Sequence, residues 1–426
     1  MAITTHTSGD PISSWRTLAG SSALVFGASL VMSVGGFGFH AVASRLLGVA
    51  GYGGLYALIS LYTIAAIPAT LLAPVLVKYS AEFRALHDEG HLRGLVTLIV
   101  RVCAVVGVAY VACGVIFAMP IAGFLRVYPW EIPLVGLMGA VAFVSGSLRA
   151  VGQGIQHYAA FAASLGCEGI AKIVALLLFA IGGLTIFRGT AAFFVGMVIG
   201  LAFIALPLLM RFRGIVSLPI VLDWKRILAT MAGAASLTLT MAVIGFADVV
   251  LVKHFFNATD AGLYAAASLC AKILLYFVGF VPAILIPHAT DRHARGKRTR
   301  HTLLTALAFI VLVSFVGVVA YKFLGVILLH ALVGRAFDAA LPLLPGYAAA
   351  MALLAVTNAL ASYGIATHRL GFSLPLFIAT LATLAAMIAS HPSPAFVLGE
   401  LLAGNVAILL CVAIPVAVQG LRQVRS

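Results

Sequence analysis

The chain has 426 residues, 63% of them hydrophobic and only 9% charged, with a mean hydropathy of +1.16. Soluble domains carry roughly 25% charged residues, so this composition excludes a soluble globular protein and points to an integral membrane protein. A net charge of +14 would raise nucleic acid as a partner for a soluble chain. Here most cations stand between apolar runs, where they set topology, and no nucleic-acid partner is expected.

Twelve apolar runs follow in chain order, near residues 17–38, 54–77, 94–117, 130–149, 160–183, 189–210, 227–252, 262–287, 303–329, 338–364, 371–390 and 396–419. Each is near the ~20 residues of a spanning helix, which predicts an all-α integral membrane fold and excludes the ~10-residue alternating strands of a barrel. The "AVAS" at Ala41–Ser44 follows a run too long for a signal peptide, so cleavage there is not expected. Cys103, Cys113, Cys167, Cys270 and Cys411 all lie within apolar runs with no CxxC pair, so neither a disulfide framework nor a zinc site is expected.

An even number of helices puts both termini on one side. Seventeen Lys and Arg then fall on that side, including Lys78, Arg84, Arg93, Arg149 and the Arg292–Arg300 cluster, against Arg45, Arg126, Arg188, Lys253 and Arg335 on the other. The positive-inside rule makes the terminal side cytosolic. Arg101, Lys172, Lys272 and Lys322 fall inside runs.

"GGLYALISL" (Gly53–Leu61) is echoed by "AGLYAAASL" (Ala261–Leu269), 208 residues later. Over residues 40–84 against 248–292, Pro74 meets Pro282, Arg84 meets Arg292 and Arg45 meets Lys253. A weaker echo pairs Gly154-Ile155 with Gly364-Ile365. The chain thus divides into a tail (1–16), a six-helix lobe (17–210), a linker (211–226), a second six-helix lobe (227–419) and a second tail (420–426). Six is even, so the repeats enter from the same side, related by an axis along the membrane normal around a central cavity. Rocking such lobes gives alternating access.

Gly54 and Gly262 are expected to allow tight helix entries. Tyr56 and Tyr264 are expected at interface depth. Gly35, Gly36 and Gly38 in "GGFGFH", with Pro74 and Pro282, are the candidate bends and gates.

Buried charges each need a reason. Lys272, near mid-membrane, reads as a cavity cation for an anionic group, or as a structural partner of Asp248. Glu168 and Lys172 stand four apart on one helical face and read first as an ion pair. The "NAT" at Asn257 reads as a chance sequon. No HExxH, CxxC, GxSxG or P-loop motif is present, so no enzyme chemistry is expected.

"ASRLLGVAGYGGLYALISLYTIAAIPATLLAPVLVKYSAEF", with Leu47-Gly48, Tyr52-Gly53 and Leu55-Tyr56, resembles the first repeat of polysaccharide transporters in the multidrug/oligosaccharidyl-lipid/polysaccharide (MOP) superfamily. "ADVVLVKHFFNATDAGLYAAASL", with Asp248, and "LRAVGQGIQHY" resemble its second repeat and the loop after helix 4. The likeness to Wzx-type O-antigen flippases implies that polyprenyl-diphosphate-linked glycan crosses the bacterial cytoplasmic membrane. Membrane lipids and other polysaccharide-assembly proteins would be its partners. It implies no cofactor, and transport driven by an H+ or Na+ gradient or the membrane potential. Lys272, Arg45, Lys253, Asp248, Lys172 and Glu168 are then the candidate substrate-binding residues. A cation-coupled multidrug antiporter (MATE) is the competing reading, and a glycan polymerase or ligase a third. The seams between helices 1 and 8 and between 2 and 7 are the expected side doors for the lipid tail.

The charge asymmetry predicts that a cysteine introduced at Asn257 is labelled by an impermeant reagent from outside intact cells, and one at Gly296 is not. Outside labelling at both positions would contradict the topology.

Overall fold

The computed structural model describes residues 11–220, 224–279, 300–367 and 370–425. Pro282, Arg292, Arg295, Lys297, Arg298 and Arg369 lie outside the described residues. The described residues form α1 (Pro11–Ala65), α2 (Ile67–Ala85), α3 (Glu89–Ile116), α4 (Ala118–Leu125), α5 (Glu131–Gly154), α6 (Tyr158–Ala180), α7 (Ile186–Arg211), α8 (Trp224–Phe255) and α9 (Ala258–Val278). A second series follows: α10 (Arg300–Leu332), a 3-10 segment (Arg335–Leu343), α11 (Leu344–Ala366), α12 (Ser373–Ala389) and α13 (Pro394–Arg425).

Among the described residues ten helical stretches are long and apolar enough to span a membrane, the first of them 63 residues long (Ala23–Ala85). That stretch contains two passages. Gly48 leaves helical geometry at φ 65, ψ −178, a region open to glycine at little cost. Beyond it the chain reverses: the rings of His40 and Tyr56 lie 5.2 Å apart, where sixteen residues of straight helix would span about 24 Å. With α12 the passages number twelve, six on each side of residues 212–223. Exposed apolar side chains on α3 and α10, such as Val105, Ile116, Phe315 and Phe323, form the kind of surface that lipid covers.

Several sequence expectations change. No loop separates helices 1 and 2, because helix continues to Gly48 and resumes at once. The Gly35–Gly38 run does not bend α1. Gly35 instead lets α1 touch α6: a Cβ there would stand 2.4 Å from the Gly169 carbonyl oxygen. Gly38 faces the Ile173 side chain, and Gly36 meets nothing within 4 Å. Pro74 lies within an unbroken α2. The break is at Ala66, just before Pro68. There the Ala69 N–H bonds the Ala66 carbonyl at 3.1 Å, and the freed Ala65 carbonyl accepts Tyr110 Oη of α3 at 2.5 Å. Asn257 is the N-cap of α9, its Oδ1 accepting the Asp260 N–H at 2.8 Å.

The echoed glycines are not helix entries either. A Cβ at Gly53 would lie 2.7 Å from the Gly262 nitrogen, and one at Gly262 only 2.0 Å from the Val49 carbonyl oxygen. The two copies of the repeat pack backbone to backbone, α1 against α9. Gly54, inside α1, faces Ile186. Tyr56 and Tyr264 are buried in the protein, at 3% and 0% exposure, not at a membrane interface. Tyr52 and Tyr56 of α1 insert into the core formed by α8–α13.

Gly262→Ala must therefore push a methyl group into backbone, an overpacking cost of about 1–3 kcal/mol or more. The detergent-solubilised variant should melt several degrees lower. Gly36→Ala, with open space and a gain of roughly 0.5–1 kcal/mol in helix propensity, should melt no lower than the parent. Equal melting temperatures for the two variants would contradict the packing described.

Candidate functional site

Two groups of buried charge lie in the bundle, and Glu131 and Lys253 are buried as well. In the first, Glu168 on α6 receives Lys172 Nζ at 2.7 Å and Arg149 Nη2 at 2.6 Å. Arg149 Nε also donates to Ser164 Oγ at 2.9 Å, and Ser164 Oγ donates to the Gly200 carbonyl at 2.5 Å. Lys172 Nζ rests 4.0 Å from the centre of the Phe193 ring, a favourable cation–π position. Room for the cluster comes from α7. A Cβ at Gly196 would stand 2.4 Å from Lys172 Cγ, and one at Gly200 would stand 2.7 Å from Glu168 Cβ. The structure thus brings Glu168 and Lys172 together and adds Arg149, read from sequence as a loop cation. Arg149 stands inside α5, which runs on to Gly154. One carboxylate facing two cations leaves an excess positive charge. The signal that could have revealed this neighbourhood is the G-x-x-x-G of "GMVIG" at Gly196–Gly200.

The second group joins the two halves of the chain. Lys272 on α9 is fully buried. Its Nζ donates to Tyr56 Oη of α1 at 3.1 Å and lies 3.8 Å from the Phe246 ring centre. Asp248 on α8 is buried too, and its Oδ2 accepts Tyr264 Oη at 3.0 Å and Tyr347 Oη. Asp248 Oδ1 has no partner. The direct Asp248–Lys272 pair considered from sequence is not among the ion pairs within 4.0 Å of the described residues. His40 lies beside this group, its Nδ1 3.3 Å from Tyr52 Oη.

The other two candidates lie at the end of the bundle where α1 turns, here the Gly48 end. Arg45 guanidinium donates to the carbonyls of His330, Ala331 and Leu332 at 2.8, 2.8 and 3.0 Å, so it caps the C-terminus of α10. Lys253 is buried in the last turn of α8. Its neighbour His254 bonds the Phe124 carbonyl at 2.8 Å and stacks on the Phe124 ring at 3.8 Å. Arg126 returns a bond to the Phe256 carbonyl at 3.2 Å. Ser44 Oγ reaches the Val333 carbonyl at 3.4 Å. Each half thus grips the end of a helix in the other half. Sequence reasoning missed His254 and Arg126, whose roles depend on that juxtaposition.

An apolar groove of about 350 Å³ on α6 and α7, lined by residues such as Ile170, Val174 and Phe203, offers no polar group to a charged headgroup. Among the described residues no three His, Cys, Asp or Glu side chains gather as a metal site. On the opposite side of α1, Phe37 and Tyr276 meet edge to face at 6.4 Å, so the seam between helices 1 and 8 is in contact here.

No family model matches the chain, and no curated relative matches it. Solved structures do. An inward-facing multidrug-resistance MATE transporter of the MOP superfamily superposes with TM-score 0.74 at 11% identity, over 92% of this chain and 94% of that one. The lipid II flippase MurJ in an inward closed conformation superposes with TM-score 0.70 at 11% identity, over 95% and 87%. A eukaryotic MATE transporter, AtDTX14, gives 0.59 at 13% identity, over 95% of each chain. On that likeness the chain has the fold of these transporters.

Proposed function

We propose that the chain is an alternating-access flippase or exporter for a polyprenyl-diphosphate-linked oligosaccharide in a bacterial cytoplasmic membrane, with both termini cytosolic. The observation that carries the reading is the excess positive charge of the buried Glu168 group. Glu168 faces two cations, and Lys272 is buried on a tyrosine hydroxyl and an aromatic ring with no carboxylate within 4.0 Å among the described residues. The excess cation of the Glu168 group is costly inside a membrane protein, whereas Lys272 shares its interior with Asp248. An anionic headgroup entering between the halves repays that cost, whereas a cationic drug adds to it. The polar head would occupy the space between the halves, with the tail leaving through a side seam such as α1–α9. Gradients of H+ or Na+, or the membrane potential acting on the charged head, would drive the cycle, and no cofactor or catalytic step is required.

A cation-coupled multidrug antiporter is the second reading. Asp248, buried with Oδ1 unpaired, is the observation that favours it, as an acidic group able to take up H+ or Na+. Polymerase or ligase chemistry has no residue constellation to support it among those described above.

Lys272→Ala should leave the protein folded and membrane-inserted while slowing transport about 10–100-fold, the equivalent of one charge-assisted hydrogen bond of about 1.5–3 kcal/mol. Lys272→Arg should keep part of the activity. The measurement is polyprenyl-diphosphate-linked glycan on the cytosolic leaflet of cells carrying each variant, which should accumulate with Lys272→Ala. Normal glycan turnover in that variant would contradict the assignment, and loss of cationic-dye efflux with unchanged glycan would favour the antiporter.

A further inference from the structure

Opposite charges buried in the same interior ordinarily close into a pair. Asp248 and Lys272 are both buried on helices that pack together, yet no ion pair within 4.0 Å joins them. The ammonium rests on the Phe246 ring, 3.8 Å from its centre. Phe246 precedes Asp248 by two residues on α8, about 3 Å of rise but roughly 200° of rotation, so the ammonium lies near the level of the carboxylate but off the face that carries it. Asp248 Oδ2 is saturated by Tyr264 and Tyr347, and Oδ1 has nothing. What draws Lys272 away is Tyr56, at 3.1 Å, and Tyr56 belongs to the other half of the chain.

We propose that Tyr56 and Asp248 are alternative partners of Lys272, and that they position its ammonium according to the state of the transporter. With the Gly48 end closed, Tyr56 holds it. Tyr56 stands one helical turn from Gly53, which touches Gly262, so the halves cannot part at that contact without breaking the Tyr56–Lys272 bond. The ammonium then moves to the vacant Oδ1 of Asp248, and each end state keeps one strong partner for the buried cation. Two packings of similar energy are what a cycling two-state protein requires. An anionic headgroup that engages Lys272 in the closed form does so by displacing Tyr56, which loosens the same contact. Tyr56 and Asp248 are positioning residues here, and the inference rests on the alternating-access reading above.

The test uses the purified full chain with spin labels at Gly123→Cys on α4 and Thr259→Cys on α9, both exposed at the Gly48 end. The accessible native cysteines Cys113, Cys167 and Cys411 are replaced first. Tyr56→Phe should move the distance distribution several-fold toward long separations, and Asp248→Asn toward short ones. Adding Lys272→Gln should abolish both responses, because both act through the ammonium. An unchanged distribution in Tyr56→Phe, or shifts that persist undiminished with Lys272→Gln, would overturn the proposal. If Asp248→Asn does not fold, Tyr56→Phe with and without Lys272→Gln decides alone. No substrate is present, so the outcome is independent of whether the cargo is a lipid-linked glycan.

Discussion

The backbone contact between residues 53 and 262 governs much of the rest of the structure. The Val49 carbonyl oxygen occupies space that any side chain at position 262 would need, so the two halves can close only with glycine there. Once they are that close, the neighbouring side chains are committed. Tyr52 and Tyr56 enter the core of the second half, Tyr56 meets Lys272, and Arg45 and His254 reach the helix ends of the opposite half. The contact between the halves is therefore polar at the helix ends and apolar where the α1 tyrosines enter the second core, around one tight glycine contact. Apolar side chains of both halves, among them Phe37 and Val49 of α1, pack around the same contact.

The buried charges are arranged by the same economy of space. On α7, Gly196 and Gly200 make a recess for Lys172 and Glu168, and Arg149 fills the carboxylate's remaining oxygen. In the second group Asp248 Oδ2 and Lys272 are met by tyrosine hydroxyls and a ring, while Asp248 Oδ1 has no partner. A tightly ion-paired cluster and a loosely held cation serve different ends. The first fixes α5, α6 and α7 to one another, while the second is the cation that the proposed mechanism uses.

The all-helical membrane-spanning fold class was legible because it rests on composition and period. The Glu168–Lys172 pair was legible too, since an i,i+4 spacing is local. What the glycines do was not. Gly54 and Gly262 read as turn residues because a glycine's partner lies across the bundle, and Gly35–Gly38 read as a bend though Gly35 seats α6. The turn at Gly48 was hidden because helical residues run directly into it from both sides. Arg149 stood at the edge of its apolar run, and a count by runs placed it in a loop although α5 carries it inward by another turn. Tyr56 and Tyr264 read as interfacial from their position in the runs, while their hydroxyls in fact serve Lys272 and Asp248.

The central claim is that the Gly48 end must open and close in every cycle. A reversible crosslink there tests it directly. Ser44→Cys and Val333→Cys, which replace two residues already in contact, can be joined by a reducible crosslinker in membranes whose accessible native cysteines have been replaced. The account predicts that transport of lipid-linked glycan stops in proportion to the crosslink formed and returns when it is reduced. Undiminished transport through fully crosslinked protein would contradict it.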